Sequence, residues 1–194
     1  MPMLWYGAGD TRIDPRAFEQ LDKDSDRAAG LVAAAIVEQR LEEAIQFWMV
    51  ADSAVQQSLF RPSGALGAFG VKIDLAYLMG VISSAGRSDL IILKSIRNDF
   101  AHRLELDSFE IPTIRDRCAN LRLVDTLIRE PSPSSPFSGS FVAKTPEGKI
   151  THLGHKGITE DLAHARQRYV LAAQLFSYLL GRGVYDKDQS KPYF

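Results

Sequence analysis

The longest regular pattern in the chain runs from Arg27 to about Val50. Leu31, Ala34, Ala35, Glu38, Leu41, Glu42, Ile45 and Trp48 recur there at three- and four-residue steps, the period of a helix. Glu38, Arg40, Glu42 and Glu43 gather toward the other side in its second half, and the Ala-rich half, Ala28 to Ala35, predicts close approach of a neighbouring helix. Asp24-Ser25-Asp26 supplies its N-cap and places acidic side chains where the helix dipole favours them. Before it, Asp14-Pro15 opens a short helix through Phe18 and Leu21. After it, Asp52-Ser53 caps a short helix ending near Phe60, followed by a Gly/Pro loop from Arg61 to Gly70.

The pattern then predicts helices from about Val71 to Ser83 and from Asp89 through His102, the second capped by Ser88. A further helix from Pro112 to Arg129 carries Ile114, Cys118, Leu121, Val124 and Ile128 on its inner side. Composition shifts at Glu130: Pro131-Ser-Pro-Ser-Ser-Pro136 reads as a solvated connector. Beyond it, Ser140–Lys144 and Lys149–Leu153 flank the turn sequence Thr145-Pro-Glu-Gly148 and predict a small β-hairpin. Thr159-Glu160-Asp161 opens a last helix to about Leu180, stopped by Gly181 or Gly183. The expected architecture is all-α: a bundle of five to seven helices with a β-hairpin insertion before the last one. It is expected to form a single helical domain over 1–194, with a core at 18–130, the connector and hairpin at 131–157, and the C-terminal helix at 158–182.

Composition narrows the function classes. At 194 residues, with 45% hydrophobic and 24% charged residues, the chain has the make-up of a folded globular protein, not a disordered one. Lys and Arg total 23 against 24 Asp and Glu, so nucleic-acid binding would need a local basic patch. The single cysteine, Cys118, excludes an internal disulfide and a Cys-x-x-Cys zinc knuckle. The longest apolar stretches fall short of the roughly 20 residues that cross a bilayer. The N-terminal residues lack a basic region followed by an apolar run, so a cytoplasmic location is expected.

The segment Ile96-Arg-Asn-Asp-Phe-Ala-His102 carries the most chemistry. A histidine can take or return the proton of a 2′-hydroxyl, and a guanidinium can hold charge building on a phosphoryl group. Those are the needs of metal-independent RNA cleavage, with Arg97, Asn98 and His102 as the candidates. On one helix Asn98 and His102 share a face, whereas Arg97 and His102 stand roughly 140° apart. A purely structural role fits the same residues. Asp99 and Arg103 make an i,i+4 pair, and His102 suits a helix C-terminus. Arg97 can bridge to an acid of the long helix. That reading predicts that Asp24 or Asp26 pairs with Arg97 or Arg27.

An ordered set of blocks resembles the mannitol operon repressor family. They are Asp24-Ser-Asp-Arg27, Leu59-Phe-Arg-Pro62 with Gly64-Ala-Leu-Gly67-Ala-Phe69, Ile73-Asp-Leu-Ala-Tyr-Leu-Met-Gly80, Ile96–His102, and Ser108-Phe109 with the helix holding Cys118. The resemblance covers roughly residues 18–130; the extension from Pro131 departs from it. It implies an all-helical transcriptional regulator without a helix-turn-helix, acting mainly through a protein partner. The Arg-Asn-x-x-x-His motif is also similar to that of HEPN domains, many of them dimeric ribonucleases, which would make Arg97 and His102 catalytic. A neutralising, immunity-type binding protein is a third expectation.

Other candidates carry less. Arg115, Arg122 and Arg129, seven residues apart, would form a stripe able to meet phosphates, although Asp116 and Asp125 make it a mixed-charge face. With Asp26, Arg27 and Asp99 they are the candidate binding residues. His152, His155, Glu160 and His164 straddle a hairpin and a helix start, and no metal site is expected there. No cofactor is expected, since Ser63–Gly67 lacks the Lys-Ser/Thr end of a phosphate loop. The expected partners are a protein or regulator and a second copy of the chain in a homodimer. Any nucleic-acid contact is expected to be weak, and no membrane contact is expected.

Overall fold

The computed structural model describes residues 18, 21, 23–127, 141–144, 150–153 and 163–183. It is an all-α bundle. Its helices are α1 (Asp26–Phe47), α2 (Ser53–Phe60), α3 (Phe69–Leu78), α4 (Ser84–His102), α5 (Pro112–Ala119), α6 (Arg122–Leu127) and α7 (Ala165–Gly183). Between α6 and α7, β1 (Phe141–Lys144) pairs antiparallel with β2 (Ile150–Leu153), Phe141 opposite Leu153, which is the expected hairpin. Phe18 and Leu21 are helical and buried, as the pattern before α1 predicts.

Local capping sets the starts of α1 and α2. Ser25 Oγ accepts the Ala28 N–H, and Asp52 Oδ1 accepts the Val55 N–H, each covering an amide that the first helical turn leaves open. Helix α1 buries Ala29, Gly30, Ala33, Ala34, Val37, Leu41, Ala44 and Ile45. That face lies about one position from the expected stripe, and Arg40, expected on the polar side, is buried within it. The shift follows from the number of neighbours, because α1 packs on α4 and on α7 at once. The close approach predicted from the alanines is present: a Cβ at Gly30 would run into the Phe100 ring. Tyr169 of α7 donates its hydroxyl to Gly30 O (3.0 Å) and Leu93 O (3.2 Å), tying three helices at one point.

Three boundaries differ from expectation. Helix α3 starts at Phe69 and stops at Leu78, where Gly80 takes φ +73° and reverses the chain. Helix α4 is capped by Ser83, whose Oγ accepts the Gly86 N–H; Ser88 lies inside it and donates back to Ser84 O. The helix expected from Pro112 to Arg129 is broken at Asn120-Leu121 into α5 and α6. Side chains from distant helices meet the groups exposed at that break. Asp89 of α4 accepts the Leu123 N–H at 2.7 Å, while Arg168 of α7 donates to Cys118 O (3.0 Å) and Leu121 O (2.5 Å).

Helix α7 is buried over nearly its whole length from Tyr169 to Leu180, as a helix apolar on all sides must be. It packs on α1, α5 and α6 and forms the spine of the bundle. Phe100 meets Phe109 edge to face with centroids 5.0 Å apart, and Phe109 lies tilted against Tyr169 of α7 at 5.1 Å. Among the described residues, no helix is long and apolar enough to cross a membrane.

Candidate functional site

The C-terminal half of α4, the N-terminus of α1 and the loop after His102 bring most of the candidate residues into one region. Packing sets this up: Gly30 lets the α4 end approach α1, which places Arg27 against the last turn of α4. Its guanidinium donates to Phe100 O, and also to Arg103 O (3.1 Å), Leu104 O (2.9 Å) and Leu106 O (3.0 Å). A helix end exposes such carbonyls, and a cation there also matches the dipole. Arg27 is thus a cap supplied by another helix.

Asp26, one residue earlier, faces the loop and α7. It accepts from Ser108 Oγ (2.9 Å) and the Phe109 N–H (2.9 Å), and pairs with Arg166 at 2.7 Å. Arg166 also donates to Leu21 O (2.5 Å) and Asp24 O (2.7 Å). The expected tie from Asp24 or Asp26 to Arg97 or Arg27 is therefore corrected: the cation is Arg166, and Arg27 binds carbonyls. The reason is direction, since Asp26 projects toward α7 whereas Arg27 projects toward α4. Asp99 pairs with Arg103, 3.8 Å away, as the i,i+4 spacing predicts, and also with Arg117 of α5. Arg117 further donates to Ser95 Oγ (3.0 Å) and Thr113 O (2.8 Å), so α4 and α5 are clasped through this pair.

The residues proposed for chemistry lie on the outer side of α4. Arg97 and Asn98 are half-buried and His102 is exposed. Arg97 donates to Asn98 Oδ1 at 3.0 Å, and among the described residues it pairs with no carboxylate. The bond holds the guanidinium beside Asn98, while Arg97 and His102 stay on sides of the helix about 140° apart. Chemically, the arrangement offers a cation held by a neutral amide, with an imidazole one turn further on at the surface.

The proposed arginine stripe is not formed by one helix. Arg115 is exposed on α5 and pairs with Asp116 at 3.2 Å, while Arg122 begins α6 beyond the break; Arg129 lies outside the described residues. Of the superficial metal set, His164 is exposed, and His155, Glu160 and the His152 side chain lie outside the described residues. Among the described residues no group of three His, Cys, Asp or Glu side chains is placed to hold a metal ion.

Several residues that hold this region and the α5–α6 break together are given no such role by the sequence: Asp89, Ser108, Arg117, Arg166 and Arg168. Burial pushes the Asp89 carboxyl above its ordinary range, against the lowering effect of the Leu123 and Arg122 amides. The Cys118 thiol is pushed up to about 12, also by burial. Burial alone would lower Lys72, but the hydrogen bonds it donates to Glu42 and Glu38 reverse this and hold it protonated. An aspartate directly before the apolar run Leu90-Ile-Ile-Leu93 was an available signal, because such a group is buried only when partnered.

Against known proteins, no family model and no curated sequence matches the chain. A solved structure, the MtlR–HPr complex from Escherichia coli, is similar in fold, with a TM-score of 0.56 at 19% identity over 87% of this chain and 96% of that one. The fold is thus mannitol repressor-like, as the resemblance implied.

Proposed function

We propose that this chain is a transcriptional regulator of the mannitol-repressor kind that acts through contacts with a partner protein in the cytoplasm. The observation that carries the reading is the shared fold with MtlR, a protein whose structure holds HPr as its partner. The geometry supports protein contact over DNA reading. Asp26, Arg27 and Asp99 are engaged within the molecule, and Arg115 and Arg122 stand on separate helices, so these described candidates form no row of base-reading side chains on one helix. The test is calorimetric titration with purified HPr, beside fluorescence anisotropy with promoter DNA. Saturable HPr binding, with DNA binding that is weak and lost at physiological salt, is the expected result. Operator binding in the nanomolar range by the isolated chain overturns it.

A second reading, a metal-independent ribonuclease, is favoured by one observation: among the described residues Arg97 bonds only the neutral Asn98, and His102 is exposed further along the same helix. On that reading a homodimer brings two such segments to a shared groove. RNA cleavage in EDTA that depends on His102 tests it.

A further inference from the structure

Five of the nine large hydrophobic residues exposed among the described residues lie at the end of the bundle opposite the α4 C-terminus: Trp48, Val50, Tyr77, Leu78 and Met79. Their grouping follows from how the helices run. Gly30 meets Phe100, and Lys72 of α3 pairs with both Glu38 (3.1 Å) and Glu42 (2.7 Å) of α1. Lys94 Nζ sits over Gly70, 3.0 Å from where a Cβ would be, and Arg87 pairs with Asp74 at 2.6 Å. These registers make α4 antiparallel to both α1 and α3, so α1 and α3 run parallel. From the Lys72 level, each helix needs only a further turn or two, about 9 Å, to its last residue. Phe47-Trp48 and Tyr77-Leu78-Met79 therefore finish side by side.

The end is shaped as well as apolar. Gly80 at φ +73° lets its N–H donate to Tyr77 O (3.0 Å) and the Val81 N–H to Ala76 O (2.9 Å). That reversal leaves Leu78 at the apex, 80% exposed. The Arg87 guanidinium, 5.7 Å over the Tyr77 ring, restricts the ring. Trp, Tyr, Met and Arg are the side chains that anchor protein interfaces, and little order has to be gained on binding when they are already held.

Charge selects the occupant. Neither α1 nor α3 has a basic residue in its last turn, so the negative ends of two helix dipoles carry no cation of their own there. Around them, Glu38, Glu42, Glu43, Asp52 and Asp74 face Arg40, Lys72 and Arg87. Five carboxylates thus stand against three cations, so the charge balance of these residues is negative. A second copy of this chain would bring negative rim to negative rim, which is unfavourable.

We infer that this end of the bundle, centred on Leu78 and Trp48, is the docking face for a partner protein that presents an apolar centre rimmed by Lys and Arg. The inference rests on the protein-contact reading above and adds the face and the complementary chemistry to it. The test titrates HPr from Escherichia coli into wild type, Leu78→Glu, Trp48→Ala and Leu104→Glu by calorimetry, with melting curves for each. Leu104 is equally exposed but follows the far end of α4, so it is the control. The expected result is affinity reduced about tenfold or more for Leu78→Glu and Trp48→Ala, with Leu104→Glu unchanged and all four melting alike. Wild-type binding that both patch variants retain overturns the face while leaving the partner reading standing. No binding by wild type overturns both. A dimer seen by light scattering that Leu78→Glu dissociates assigns the face to self-association and overturns the inference.

Discussion

The carboxylate of Asp89, in the N-terminal half of α4, accepts the backbone N–H of Leu123 at 2.7 Å and so caps a helix that begins 33 residues later in the chain. The cap is buried, with Asp89 only 1% exposed, and its acceptor cannot be replaced by water. Asp89→Ala leaves the Leu123 amide unsatisfied and should cost about 1–3 kcal/mol in urea unfolding. Asp89→Asn keeps an acceptor oxygen and removes the charge. Because burial raises the folded-state pKa, the folded protein binds the proton more tightly than the unfolded chain. The stability this contributes is full below the ordinary carboxylate pKa of 3.8 and is lost as pH rises through the raised value. The difference between wild type and Asp89→Asn should therefore shift in favour of the asparagine variant as pH rises from about 4 to 7. A difference that stays flat over that range refutes it.

Cys118 is a second buried titratable group, on α5 against α7. With its thiol pushed up to about 12, almost no thiolate exists near pH 8. Ellman's reagent should react with the native protein about a hundredfold more slowly than with the urea-unfolded chain, through opening of the bundle. The sign for stability is the same as for Asp89. The contribution is present below the ordinary thiol value of 9.0 and is lost as pH rises toward 12. Rapid stoichiometric labelling of the native state at pH 8 contradicts this burial.

The clasp between Asp26 and Arg166 joins the start of α1 to the start of α7 across 140 residues. Both side chains are about a quarter exposed, so breaking the pair should cost less than the roughly 3–5 kcal/mol of a fully buried one. Arg166→Ala should lose about 1–2 kcal/mol, with part of the loss coming from the Leu21 and Asp24 carbonyls it also holds. In a double-mutant cycle, Asp26→Asn and Arg166→Ala should be less than additive. Full additivity means the two act independently.

What the sequence made legible follows from how local each cause is. Ser25 and Asp52 could be read as caps because a cap bonds an amide three residues on. Ser83 and Ser88 are both good caps by that logic, and only the burial of Gly86 and Asp89 on α4 decides for the earlier one. The break at Asn120-Leu121 has no local mark, since the groups that meet it come from Asp89 and Arg168. The candidate region shows the same division. Asp26 and Arg27 were identifiable as polar residues beside a helix start, and Asp99–Arg103 as an i,i+4 pair. Their other partners, Arg166, the α4 carbonyls and Arg117, depend on which helices meet, which α7 settles from the far end of the chain.

The ribonuclease reading is the sharpest to test, because His102 is exposed and can be changed without touching the core. Arg97 bonds only its neighbour Asn98 among the described residues, so Arg97→Ala should shift stability by no more than about 1 kcal/mol. Loss of activity in either variant is then a loss of chemistry, not of fold. On this reading, labelled single-stranded RNA is cut in the presence of EDTA and left with 2′,3′-cyclic phosphate ends. His102→Ala removes the group that moves the proton, and Arg97→Ala removes the cation that meets the phosphoryl charge. Each should lower cleavage by about a hundredfold or more. Asn98→Ala removes the side chain that holds the guanidinium and should give a smaller loss, with binding of RNA retained. Equal background cleavage in wild type and all three variants ends the reading and leaves the segment as the outer turn of a helix that Arg27 caps.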